Sequence, residues 1–361
     1  MGTQRRLGRT GSRPEHAPDH DMAVGPERAG STVGEIVVAL WRVARPPIWM
    51  VSLVPLWVGH LLATRTIFPG FDRWTRFWAD ASQSGARSAH FWATFRHALG
   101  DARPLLLAVL VFGPVAWAAA LSINDVHDLA GDRENPRKQN SPLVDGALSP
   151  MFVRRAAYLF GAVALTGAAA VSAGFVLVTA AFLVLAWAYS VPPVRLKSRA
   201  GADVVVNALG VGALPLLAGW SVARPLASFP WVMLAQGIAV AIGLYVPTTL
   251  VDHQADLAAG YDTLTTRLGY HRAYQIGLIA WTGACANAVV LSALDVVIPR
   301  QMLLVLVLAA PVLVAAYHLL IGHARGPAQL VRGIIVISWM FLAPNVMFAL
   351  IYTRLWVPGS A

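Results

Sequence analysis

Cysteine is almost absent from these 361 residues: Cys285 stands alone, which excludes an intramolecular disulfide and any thiolate metal cluster. Lysine is nearly as scarce, with only Lys138 and Lys197, so the net charge of +10 is carried by arginine. Charged residues make up 13% of the chain against 57% hydrophobic, too few to clothe a soluble surface. Residues 1–30 contain no apolar stretch, which excludes a secretory signal peptide there. Their Arg, Gly, Pro, His and Asp predict a disordered cytosolic tail over 1–34. No basic run is interleaved with aromatic platforms, so nucleic acid is not an expected partner. The basic balance fits loops facing anionic lipid.

What the chain does have is apolar runs of about 20 residues, long enough to cross a bilayer as helices. With a mean hydropathy of +0.59, they predict an all-α, polytopic membrane protein with about nine transmembrane helices around a central cavity. The spans fall near 36–63, 104–123, 155–174, 175–190, 204–222, 230–250, 273–294, 302–321 and 332–353. A single membrane domain is expected over 35–354, followed by a short C-terminal tail over 355–361. Arg5, Arg6, Arg9, Arg13, Arg28, Arg42 and Arg45 at the first border put the N-terminus inside by the positive-inside rule. The loops 124–154, 191–203, 251–272 and 322–331 then face the cytoplasm of a multi-pass cell-membrane protein. The segment 64–103 should be external yet carries six arginines. Its Trp74, Phe77, Trp78, Phe91, Trp92 and Phe95 predict interfacial helices.

Two acidic clusters stand at the cytoplasmic ends of apolar runs: Asn124-Asp125-Val126-His127-Asp128…Asp132, and Asp252-His253-Gln254-Ala255-Asp256. At 100° per residue, Asn124, Asp125, Asp128 and Asp132 share an arc of about 100°, and Asp252 and Asp256 share a face. Acids at helix C-termini oppose the helix dipole, so solvated loop acids explain them poorly. Carboxylates at a membrane border need a compensating partner, and divalent cations bridging a diphosphate supply one. On this reading Asp125, Asp128, Asp132, Asp252 and Asp256 are both metal ligands and the catalytic centre. Asp145 and Asp262 lie farther along their loops, open to either a substrate role or turn capping. His127 and His253 point off the stripe.

A diphosphate needs cations as well. Arg133, Arg137 and Lys138 follow the first cluster. Tyr189-Ser190-Val191-Pro192-Pro193-Val194-Arg195-Leu196-Lys197 brings Tyr189, Arg195 and Lys197, the last two expected as alternate side chains of an extended segment after a proline-terminated span. Asp203 and Asn207, four residues apart, would orient these cations or line the cavity.

These motifs resemble the UbiA superfamily of intramembrane prenyltransferases: N-D-x-x-D-x-x-x-D at 124–132, D-x-x-x-D at 252–256, then Gly260 and Thr263-Leu264-Thr265…Leu268-Gly269. The segment 189–197 is similar to the loop of the chlorophyll synthase-like and carotenoid-elongating branches. The resemblance covers about 36–353 and implies a nine-helix bundle whose cavity opens toward the membrane. It also implies Mg²⁺-dependent transfer of a prenyl group from a polyprenyl diphosphate to a hydrophobic acceptor. By position, the five aspartates would organise Mg²⁺ and diphosphate, Asn124 would support the metal, and Arg133, Lys138 and Lys197 would hold the diphosphate. The chain departs from the family where an Arg-Pro is usual: it has Ser141-Pro142, with Asp145 added. That counts against 4-hydroxybenzoate and leaves phenols, naphthoquinone precursors, tetrapyrrole acids, carotenoids and specialised metabolites as acceptors. Two other readings use the same residues. A membrane terpene cyclase would capture the cation internally or with water, and a transporter or lipid-binding protein would use the aspartates as an ion site, usually nearer the midplane.

Overall fold

The computed structural model describes residues 32–81, 87–135 and 138–355, and every regular element among them is helical. Most of the expected tails, up to Ser31 and from Trp356, lies outside the described residues, as does Arg137.

The first expected span is two helices, α1 (Val33–Ala44) and α2 (Pro46–Thr64). Pro46 and Pro47 explain the break: the residue before a proline is driven out of the helical region. Here that residue is Arg45, which adopts a left-handed conformation (φ 46°, ψ 69°). Thr32 starts α1 through a reciprocal capping box with Glu35.

The segment 64–103 forms α3 (Phe71–Ala81) and the first part of α4 (Arg87–Leu110). Their aromatic residues interlock, with Trp74 in edge contact with Phe77, Phe91 and Phe95 at 5.6–6.4 Å between ring centres. A π-helical turn over Val111–Val115, containing Pro114, carries the chain straight into α5 (Ala116–Glu134). Proline cannot donate to the preceding turn, and the wider turn absorbs the missing bond. The acidic stripe therefore lies on helix as far as Glu134, where a loop was expected from residue 124.

The remaining helices follow the expected order: α6 (Pro150–Ala169), α7 (Ala173–Ser190), α8 (Ala202–Asn207), α9 (Leu214–Ser221), α10 (Val232–Ala259), the short α11 (Leu264–Leu268), α12 (Tyr270–Ala293), α13 (Leu303–Tyr317) and α14 (Pro327–Tyr352). A π-helical turn at Ala208–Ala213 joins α8 to α9, just before Pro215. Among the described residues, eight helical segments are long and apolar enough to span a membrane. The expected span not among them, 155–174, corresponds to α6, a 20-residue helix whose first turns carry Arg154 and Arg155.

Packing relies on small residues where helices cross. At Gly59 and Gly219, on α2 and α9, an added Cβ would collide with the carbonyl oxygens of Leu216 and Leu56 respectively. Such close backbone approach replaces hydrophobic driving force with van der Waals contact, which is what holds helices together in lipid.

Candidate active site

The C-terminal ends of α5 and α10 bring the two acidic clusters to one end of the bundle. Tyr261, just beyond α10, spans them: its hydroxyl packs so closely on Gly131 of α5 that a Cβ there would lie 2.8 Å away. Burial pushes the Tyr261 phenol up, and the charge of Asp128 adds to that. Nothing in its spacing marked Tyr261 as a bridge.

Every aspartate of the first cluster meets a cation. Asp125 is buried, and Arg45 Nη2 donates to its Oδ1 at 2.5 Å. Arg195 Nη2 donates to Asp128 Oδ1 at 3.0 Å, and Lys197 Nζ lies 2.5 Å from the other oxygen. Lys138 Nζ stands 3.5 Å from Asp132 Oδ2. Asn124 Oδ1 accepts from Lys197 Nζ at 2.8 Å and from Ser190 Oγ at 3.1 Å. The ring of Tyr189 lies under the Lys197 ammonium at 5.9 Å, while its hydroxyl accepts from Asn207 Nδ2 at 3.5 Å. Lys197 is mostly buried, which lowers its pKa although Asp128 opposes the shift. The structure thus gathers Asn124, Asp125, Asp128, Asp132, Lys138, Tyr189, Arg195 and Lys197. Arg133 is exposed, and its carbonyl oxygen accepts from Gln139 Nε2.

Arg45 escaped the sequence reading, which counted it only as a border charge. The available signal was an arginine followed by two prolines inside an apolar run. Both arginines that contact the stripe, Arg45 and Arg195, have left-handed backbones (φ 46° and 32°). Such conformations cost of order 1–3 kcal/mol and cluster at functional sites. The segment around Arg195 also differs from the extended strip expected. It coils into a short 3₁₀ turn over Leu196–Ser198, with Ser198 Oγ donating to the Arg195 carbonyl. Both side chains still reach one carboxylate, that of Asp128, from this coiled turn.

The second cluster is more open. Asp252 is exposed, and half-buried Asp256 accepts from Thr263 Oγ1 at 3.2 Å. Asp203, expected beside the cations, is instead buried and accepts the backbone N–H groups of Gly201 (2.9 Å) and Leu264 (3.4 Å). It ties the start of α8 to α11, and α11 is entered through Thr263, the residue on Asp256. Asp145 caps its own turn by accepting from Ala147 N–H at 2.9 Å, with Arg42 Nη1 at 3.8 Å. Asp262 is exposed, 3.9 Å from Arg267. Both therefore have local partners.

Among the described residues no three carboxylate, imidazole or thiol groups form a ready-made metal cage. The donors themselves are carboxylate and amide oxygens with no sulfur among them, the hard set that suits Mg²⁺, which is usually held by one or two carboxylates plus substrate phosphate and water. A second observation concerns the anion. Arg195 Nε is buried without a hydrogen-bond partner, and buried donors of this kind are rarely left unmet. A phosphate oxygen satisfies such a donor well.

Comparison with known proteins shows the family and the fold. The UbiA prenyltransferase family profile matches residues 84–345. The lycopene elongase/hydratase of Halobacterium salinarum is 32% identical over 234 residues, spanning 64% of this chain and 76% of that protein. A UbiA homolog from Archaeoglobus fulgidus bound to DMAPP and Mg²⁺ superposes with a TM-score of 0.62 at 19% identity, over 86% of this chain and 99% of that one. The same homolog bound to GPP and Mg²⁺ gives 0.60 at 21% identity, with equal coverage. At these identities the solved structures establish the fold. The chain belongs to the UbiA prenyltransferase family, and it is an intramembrane prenyltransferase.

Proposed function

We propose that this UbiA-family prenyltransferase ionises a polyprenyl diphosphate between the ends of α5 and α10 and transfers the prenyl group to an isoprenoid hydrocarbon dissolved in the bilayer. The observation that carries this is the unpartnered Nε of Arg195, set beside Lys197 and above the Asn124–Asp128 pair. Arg195 and Lys197 would turn from Asp128 to the diphosphate, which frees carboxylate oxygens for Mg²⁺ on Asp125, Asp128, Asp132, Asp252 and Asp256. Bound there, Mg²⁺ would neutralise charge on the departing diphosphate. Lys138 and Arg133 would add cations at the rim, Asn124 would hold Lys197, and the Tyr189 ring would fix its ammonium.

In the transfer, the allylic C–O bond breaks and its electron pair leaves on the diphosphate oxygen. An acceptor double bond donates its π pair to the prenyl carbon, and the new cation resolves by losing a proton. An isoprenoid acceptor is supported by the relative's name, lycopene elongase/hydratase. The same name supports a second outcome, in which water adds to the cation. Capture of the prenyl cation within one molecule, as in a terpene cyclase, uses the same residues without any acceptor. The positive-inside arginines support a cytoplasmic position for the aspartate end in the cell membrane.

The test is purified protein with labelled prenyl diphosphates, Mg²⁺ and carotenoid or quinone-precursor acceptors. Diphosphate release should need Mg²⁺ and fall about 100-fold or more in Asp128→Ala with Asp252→Ala. Activity that survives EDTA or this double substitution sinks the site assignment. Product mass decides the rest: prenyl addition with or without 18 mass units of water supports transfer, and a cyclised product formed without acceptor supports the cyclase.

A further inference from the structure

Six non-glycine residues among those described have left-handed backbones: Arg45, Arg65, Arg195, Asp295, Val297 and Arg354. Two of them hold the aspartate stripe. The other four all line one cavity of about 490 Å³ at the opposite end of the bundle. It sits where α2 and α14 end and where the chain passes from α12 to α13. Arg45 touches Asp125, and α2 then runs 19 residues away from it to reach Arg65. At 1.5 Å per residue that is about 28 Å, close to the thickness of a bilayer core. The cavity therefore lies at headgroup depth on the far side of the membrane from the catalytic end.

Its chemistry is specific. The Arg65 guanidinium stacks on the Tyr352 ring at 5.2 Å, which fixes its plane. Arg354 supplies a second guanidinium from the end of α14. Among the described residues, neither takes part in an ion pair. Asp295 adds one carboxylate, but its Oδ1 is engaged by the Arg300 N–H at 2.8 Å. Two guanidiniums against one carboxylate leave one net positive charge, which matches the single negative charge of a phosphodiester. Val297 and Ile351 give an apolar wall. A left-handed β-branched residue such as Val297 is a genuine backbone outlier, and here it is kept on the wall of that cavity.

We infer that this cavity is a second site, separate from the active site, that binds a phosphate group through Arg65 and Arg354, with a phospholipid headgroup as the ligand its depth favours. The competing role for these arginines is neutralising the C-terminal dipoles of α2 and α14. That role affects stability whether or not lipid is present, so lipid-dependent measurements separate the two.

The experiment uses the full chain in mixed micelles and measures thermal stability and bound lipid by native mass spectrometry. The probes are phosphatidylglycerol, a galactosyl diacylglycerol with the same acyl chains, and sodium phosphate. Phosphatidylglycerol should stabilise the protein and stay bound, and the galactolipid should do neither. Arg65→Gln with Arg354→Gln should weaken phosphatidylglycerol binding about tenfold or more while Mg²⁺-dependent diphosphate release stays unchanged. If the double variant fails to fold, Arg354→Gln alone should show a smaller loss in the same direction. Stabilisation by sodium phosphate that these variants abolish supports the site and makes free phosphate its ligand. Equal binding of both lipids, or an undiminished phosphatidylglycerol shift in the variants, overturns the inference. A variant that melts earlier without lipid yet keeps the full shift also overturns it, leaving only the capping role.

Discussion

At the residue scale, the pair Arg45–Asp125 shows how a buried charge sets its own terms. The carboxylate is 2% exposed, and its cation comes from a backbone position that is itself strained. Removing one partner of a buried pair costs about 3–5 kcal/mol, because the other charge stays behind uncompensated. Arg45→Ala should therefore lower the melting temperature sharply in detergent, whereas Arg45→Ala with Asp125→Asn should regain much of the loss. A double variant no more stable than the single one would mean that Arg45 acts through chain direction at the α1–α2 break and not through charge. The aspartates themselves were legible, since carboxylates beside apolar runs stand out by type alone. Arg45 was not, because its partner lies 80 positions along the chain. Asp203 was misread for a related reason: an i, i+4 spacing with Asn207 marks a shared helix face, but not that the carboxylate turns to the backbone of α11.

At the element scale, the spans were readable because hydropathy reports what lipid requires, and the breaks and extensions were less so. The Pro46-Pro47 break in the first span needed attention to the residue before the prolines. The run from α4 to α5 extends beyond the expected 104–123 at both ends, with Pro104 inside α4 and Pro114 taken up in a π-helical turn. The crossing of α2 and α9 was invisible, since single glycines in apolar runs carry no periodic signal. Its consequence can be measured. Gly219→Ala would push a methyl group into the Leu56 carbonyl, and backbone does not yield as a flexible side chain can. We expect overpacking of about 1–3 kcal/mol or more, seen as earlier melting. Gly283→Ala on α12, with open space around it, should melt like the unsubstituted protein. Equal melting of the two variants would show that the crossing is looser than drawn.

At the scale of the whole molecule, both acidic helices and the loop of Arg195 and Lys197 share one end, and the cavity of Arg65 and Arg354 occupies the other. Which end faces the cytoplasm was read from arginine bias, with the arginine-rich segment 64–103 against it. It folds into the 11-residue α3 and the first part of α4, a long segment rather than a short loop, and charges on such segments are a weak topological vote. The single cysteine makes orientation testable. Cys285 is buried in the core cluster that includes Trp281 and Tyr317, and its side chain is small, so Cys285→Ala should fold and retain activity. In that background, Gln139→Cys and Asp262→Cys mark the aspartate end, while Ala223→Cys and Val296→Cys mark the other. A membrane-impermeant maleimide should label the second pair in intact cells and the first pair only in inverted vesicles. The reverse pattern would place diphosphate release outside the cell and exchange the leaflets assigned to the two sites. Since cytosolic prenyl diphosphate would then face the wrong side, such labelling would overturn the positive-inside reading and the proposed route of the donor together.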